Sequence, residues 1–168
     1  MPPWKQVRAI LMPIIVALVI PAILVGLTGD LNPGWSLPAP FQPVPVLLGA
    51  LTVGVGLILF SQTLRLFISV GRGTLAPWDP PRRVVVHGIY RHVRNPMITG
   101  VCCVLLGEGM ALGSGVLLSW LVTVGVVNAI YIPLVEEPRL EQRFGEDYRD
   151  YCRHVPRWLP RRVPWQPG

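Results

Sequence analysis

The sequence predicts an all-α integral membrane protein with four transmembrane helices, a C-terminal amphipathic helix and both termini cytoplasmic. Three observations carry this. Apolar residues are 51% of the 168 and charged residues only 14%, against about 25% charged in soluble domains. The apolar residues are gathered into blocks of bilayer length instead of being dispersed. All 15 Lys and Arg fall in the N-terminal stub, the end of the second apolar block, the polar segment 71–96 and the tail, and none falls in the other two connections. The length fits a single membrane domain over 1–168. Its N-terminal two-helix part is 1–70, and 71–168 holds a helical hairpin and a tail.

The first apolar block, about 10–27, follows Lys5 and Arg8 and carries no charge. It is longer than the apolar core of a signal peptide, and no small-residue cleavage site follows it. Pro13 and Pro21 are expected to kink it, which a membrane helix tolerates when neighbours satisfy the freed backbone groups. The stretch "TGDLNPGWSLPAPFQP", 28–43, is a loop by its Gly, Pro and Asn-Pro, with Trp35 and Phe41 suited to the membrane interface and no Lys or Arg. The second helix is expected over about 44–70. Its charge-free run of 21 residues over 44–64 spans about 30 Å at 1.5 Å per residue, and Arg65 can reach the headgroups.

Segment 71–96 is polar. It holds Arg72, Arg82, Arg83, Arg91 and Arg94, a proline-rich turn "APWDPP" and a possible extended piece "RRVVVHG". Two apolar blocks follow, about 97–112 and 116–135, joined by "GSG" and read as a helical hairpin. The remainder is a charged tail. Over about 138–153, Leu140, Phe144, Tyr148, Tyr151 and Cys152 recur at helical spacing, with Arg139, Glu141, Arg143, Glu146, Asp147 and Arg149 on the other side. This predicts an amphipathic helix lying on the membrane or on the protein.

With four crossings, the two connections without Lys or Arg, 28–43 and 113–115, lie on one face, and every basic segment lies on the other. The positive-inside rule then places both termini in the cytoplasm of what is expected to be a bacterial inner membrane. The net charge of +6 needs no nucleic-acid partner, because basic loops beside membrane helices account for it. Cys102, Cys103 and Cys152 form no C-x-x-C pair, and with His87, His92 and His154 they outline no metal site.

"HGIYRHVRNPMITG", 87–100, crowds Arg91, His92, Arg94 and Asn95 at the foot of the third helix. The tight hairpin brings this foot beside that of the fourth helix, where Glu136 and Glu137 stand. Cations would keep two adjacent carboxylates ionised. One reading is a structural ion-pair cluster. The other is a site for a zwitterion, with cations for its carboxylate and glutamates for its ammonium or hydroxyls. Free N–H groups after Pro96 also favour an anion. Glu108, about 16 Å into the third helix by helical rise, is a second outlier and a functional candidate by its depth. A protonated glutamate bonded to Asn128 or Ser119 is the structural alternative.

"GIYRHVRNPMITG", "LLGEG" and "EEPRLEQRFGEDYRDYCRHVPRWLPR" together resemble the membrane methyltransferases of the isoprenylcysteine carboxyl methyltransferase and phospholipid methyltransferase group, over about 71–162. The resemblance implies S-adenosylmethionine as cofactor, held at the cytoplasmic face. It carries cofactor contacts onto Tyr90, Arg94, Asn95, Pro96, Gly100, Glu136 and Glu137, with Tyr148 and Arg157 in support. Gly107, Glu108 and Gly109 resemble a G-x-G that pairs with E-E in cofactor binding among phosphatidylethanolamine methyltransferases. Two departures stand out: Asn95 where the isoprenylcysteine enzymes have histidine, and Ile98 where many have tyrosine.

The implied activity is methyl transfer to a lipid or other hydrophobic small molecule, an in-line displacement that needs mainly alignment and a dry site. Arg94 would orient cofactor or substrate, and His92 is the candidate proton acceptor. Two other readings compete. The tail also resembles membrane sterol reductases through Tyr151-Cys152 and Val155-Pro156, which implies NADPH. A non-enzymatic membrane scaffold is the third reading.

Overall fold

The computed structural model describes residues 11–69 and 86–166, and all regular structure among them is helical. The proline-rich turn at 76–81, and the extended piece at 82–88 except for its last three residues, lie outside the described residues. Helix α1 is Leu11–Thr28 and α2 is Pro43–Ser69. Helix α3 is Pro96–Leu112 and α4 is Gly115–Tyr131, continuing through a wide π-helical turn, Ile132–Glu136, into α5, Glu137–Phe144. Helix α6 is Glu146–His154. Three helical stretches are long and apolar enough to cross a membrane, namely Leu11–Thr28, Pro43–Leu66 and Gly115–Phe144, and Pro96–Leu112 is a shorter apolar helix.

The chain forms two compact units. One comprises Leu11–Ile58 and Gly100–Val127. Its α1 contains a wide turn of its own, Ile15–Val19, in which the Ile20 N–H reaches back to the Ile15 carbonyl. The next donor in that register would be residue 21. That residue is proline and has no N–H, so the Val16 carbonyl is left over. Trp120 satisfies it through its indole N–H at 3.0 Å. Around this contact Ala17, Val101, Val104, Leu105 and Val124 form the buried core.

Helices α2 and α3 meet in a seam of glycines. A Cβ on Gly49 would lie 2.5 Å from the Gly107 carbonyl, one on Gly107 2.5 Å from the Gly49 carbonyl, and one on Gly56 2.7 Å from the Gly100 carbonyl. Both helices carry the seam at seven-residue spacing, two helical turns, so only glycine lets the backbones approach this closely.

Loop 29–42 is bonded to the α3–α4 turn. The Asn32 N–H donates to the Leu112 carbonyl at 2.9 Å. The Trp35 indole donates to the Met110 carbonyl at 3.0 Å. Asp30 accepts from the Ser114 hydroxyl at 3.0 Å and the Val116 N–H at 2.8 Å, capping the start of α4.

The other unit comprises Leu59–Thr99 and Asn128–Gly168 so far as these are described. Tyr148, Tyr151 and Val155 are its buried core, packed by Val86, Leu140, Phe144, Cys152 and Trp165. Here the structure departs from the expected helix over 138–153. The fourth helix does not stop at 135 but runs through the wide turn to Phe144. The amphipathic stretch then breaks at Gly145, whose φ of 58° and ψ of −131° belong to a region that only glycine enters readily. The apolar face therefore comes from two short helices instead of one.

Candidate active site

The segment 87–95 is fixed by the C-terminal tail. The Tyr90 N–H closes a short 3-10 turn, Gly88–Arg91, on the His87 carbonyl. The tail then runs antiparallel to 91–94. Arg94 N–H donates to the Pro156 carbonyl at 2.9 Å, Arg161 N–H to the His92 carbonyl at 2.9 Å, and Trp165 N–H to the Arg91 carbonyl at 3.0 Å. Side chains reinforce the pairing. Arg91 Nε donates to the Trp165 carbonyl at 2.7 Å. His92 Nδ1 lies 2.8 Å from the Arg161 carbonyl, so it carries the proton and leaves Nε2 as the acceptor of the neutral ring. Asn95 Nδ2 donates to the Arg157 carbonyl at 3.3 Å.

Glu137 is the centre of the charge cluster. Its Oε1 accepts from Arg94 Nη1 at 2.9 Å and Arg157 Nε at 2.8 Å, and its Oε2 from Arg157 Nη2 at 2.7 Å. The Arg157 contact is the two-bond fork that gives guanidinium–carboxylate pairs their strength and direction. The side chains of Arg94 and Glu137 are only 12% and 16% exposed, so the pair is sheltered from solvent screening. Arg94 Nη1 also reaches Cys152 Sγ. Arg94 Nε is buried with no hydrogen-bond partner among the described residues. The neighbouring Glu136 is exposed and makes no hydrogen bond or ion pair with any described residue.

Aromatic groups close the cluster. The Tyr151 hydroxyl donates to the Tyr90 carbonyl at 2.7 Å. Burial pushes the Tyr90 phenol far above its ordinary range, with Tyr151 and Glu136 adding to the effect. Burial does the same to Tyr148, with Cys152 contributing. Burial also raises the Cys152 thiol, in spite of the Arg94 charge beside it. These groups are therefore neutral at physiological pH, and the ion pairs of the cluster are those of Arg94 and Arg157 with Glu137.

Of the residues singled out in the sequence, the structure thus gathers Tyr90, His92, Arg94, Asn95, Glu136, Glu137, Tyr148 and Arg157 in one unit, with the buried Pro96 opening α3 beside them. Gly100, Gly107, Glu108 and Gly109 fall in the other unit. There Gly100 and Gly107 face α2 in the glycine seam, and a Cβ on Gly109 would meet Leu118 at 2.5 Å. Glu108 Oε2 is buried without a hydrogen-bond partner among the described residues, and Ser119 turns its hydroxyl to the Gly115 carbonyl. Cys152, Arg161 and Trp165 were not foreseen as part of the cluster. The basic, proline-rich tail was visible as composition, but its backbone pairing has no residue signature.

A helical membrane protein with a sheltered, arginine-clamped carboxylate beside one that has no partner among the described residues is the class that fold and cluster define. The phospholipid methyltransferase family matches residues 44–147, well over half of the chain, and the chain belongs to that family. It is accordingly an integral membrane protein and a methyltransferase by family. The match takes in α2, which the motif resemblance left out, and ends before Tyr148 and Arg157. No curated protein and no solved structure matches the chain.

Proposed function

We propose that the protein transfers a methyl group from S-adenosylmethionine to a lipid or other hydrophobic acceptor at the cytoplasmic face of the membrane. The observation that carries this reading is the division at the cluster: Glu137 is clamped by two arginines, and Glu136 beside it has no partner among the described residues. Members of the family generally use S-adenosylmethionine. The residues present fit such a group. A free carboxylate suits an ammonium or ribose hydroxyls, and the unpartnered Nε of Arg94 is a buried donor suited to a carboxylate. A buried donor without a partner is costly, and a ligand that satisfied it would remove that cost.

When bound, the cofactor supplies an electrophilic methyl on a sulfonium, so no nucleophile is required of the protein. Glu136 would hold the cationic end of the ligand. Arg94, kept in place by Glu137 and by its own backbone bond to Pro156, would orient the anionic end. Tyr90 and Tyr148, neutral and largely buried, would exclude water. His92 Nε2 would accept a proton from an acceptor that arrives protonated. Gly100, Gly107, Glu108 and Gly109 enter as candidate contacts through the motif resemblance alone. The family match favours methyl transfer over the reductase and scaffold readings.

The test is calorimetry on the detergent-purified protein with S-adenosylhomocysteine and, separately, with NADPH. Binding of the first and none of the second is expected. Binding of NADPH, or of neither at millimolar concentration, overturns the reading.

A further inference from the structure

We propose that Pro138 is a positioning residue: the wide turn it imposes at the end of α4 assigns Glu137 to the arginine clamp and leaves Glu136 free for the ligand. This rests on the proposed function for the ligand's identity, but not for the geometry. In an unbroken α-helix the Glu136 N–H would bond the Ile132 carbonyl. Here the Glu137 N–H makes that bond, so one extra residue is accommodated in the turn. Successive residues on a helix point about 100° apart. Glu137 therefore stands in the direction that a regular helix would give Glu136, and Glu136 is turned away from Arg94 and Arg157.

The cause is read from the chain's other wide turn. In α1 the Ile20 N–H bonds the Ile15 carbonyl and Pro21 comes next. In α4 the Glu137 N–H bonds the Ile132 carbonyl and Pro138 comes next. What the two turns share is a proline immediately after the i→i−5 donor. A proline ring collides with the carbonyl four residues back in a regular helix, and opening the turn by one residue moves that carbonyl away. Pro133 has no such counterpart, because the equivalent residue of the first turn is Val16. Pro138 is exposed, so its replacement removes the ring without opening a cavity.

The experiment compares Glu136→Gln, Glu137→Gln and Pro138→Ala, and each glutamine variant combined with Pro138→Ala, by S-adenosylhomocysteine calorimetry and thermal unfolding in detergent. Glu136→Gln is expected to weaken binding about tenfold or more with the midpoint unchanged, and Glu137→Gln to lower the midpoint. Pro138→Ala is expected to weaken binding without lowering the midpoint, and to transfer the sensitivity of the midpoint from position 137 to position 136. If Pro138→Ala binds as the parent does and position 137 stays the sensitive one, the inference is overturned. A parent protein that binds no S-adenosylhomocysteine defeats the proposed function and the ligand role of Glu136. The midpoints alone then decide whether Pro138 selects the clamped glutamate.

Discussion

At the scale of single residues, a carboxylate in this chain takes its role from what donates to it. Asp30 receives the Val116 N–H and the Ser114 hydroxyl, and these bonds hold it below its ordinary value of 3.8, the backbone bond contributing most. A carboxylate depressed in the folded state stabilises fully above its unfolded pKa, and the contribution is lost as pH falls through the lower folded value. The Asp30→Asn variant is therefore expected to unfold at a lower temperature than the parent at pH 6. The two midpoints should converge as pH is taken below about 3.8, which scanning detergent-solubilised protein across pH 2–6 would show. Equal midpoints at pH 6 would deny Asp30 its capping role. Glu137, by contrast, is held by charges. Replacing it with glutamine leaves Arg94 short of its counter-charge in a sheltered site, a loss on the order of 3 kcal/mol for buried pairs, smaller here because Arg157 is one-third exposed. Denaturant titration of the parent and variant would measure it.

At the scale of elements, the glycine seam sets how closely α2 and α3 pack. A methyl at Gly107 would enter the Gly49 carbonyl and the Val53 backbone at 2.5–2.7 Å, and rigid backbone cannot give way. Gly107→Ala is expected to destabilise by about 1–3 kcal/mol, as overpacking does. Gly54→Ala, on α2 but outside the seam, is the control. Nothing lies within 4 Å of its Cβ, and alanine gains up to about 1 kcal/mol over glycine in a helix. Opposite signs in thermal unfolding would establish packing as the seam's role, and equal effects would refute it. The same elements show what a sequence can disclose. The apolar stretches were legible to within a residue or two at most ends because a bilayer demands length and the absence of charge, and both are local properties. The break at Gly145 was not. Leu140, Phe144, Tyr148 and Tyr151 keep helical spacing on either side of it, so periodicity runs straight through. Nor were the wide turns legible, although the prolines that accompany them were in view. In the cluster, the meeting of Arg94 with Glu137 followed from the hairpin, and Arg157 followed only from a motif. Cys152 and the tail's pairing with 91–94 depend on backbone bonds that any residue could make.

At the scale of the whole molecule, length and charge make opposite demands on α3. Its 17 residues extend about 25 Å at helical rise, less than the roughly 30 Å of a hydrocarbon core, so length alone argues against a full crossing. Charge argues for it. Loop 29–42 has no Lys or Arg, and it is bonded through Asp30, Asn32 and Trp35 to the turn that joins α3 to α4. These two connections therefore belong to one side. If α3 stopped within the membrane, the shared turn and its bonded loop would be drawn into the bilayer, carrying Asp30, Asn32 and Ser36 with them. Local thinning of the membrane around a short helix costs only fractions of a kcal/mol per Å, far less than burying those groups. The balance favours four crossings with both termini cytoplasmic. Reporter fusions check this: one that fluoresces only in the cytoplasm, placed after residue 168, should be bright, and one active only outside it, inserted near Pro38, should be active. Reporters that place both positions on the same side would overturn this topology, because α4 crossing without α3 would put Arg94 and Glu137, bonded to each other at 2.9 Å, on opposite sides of the membrane.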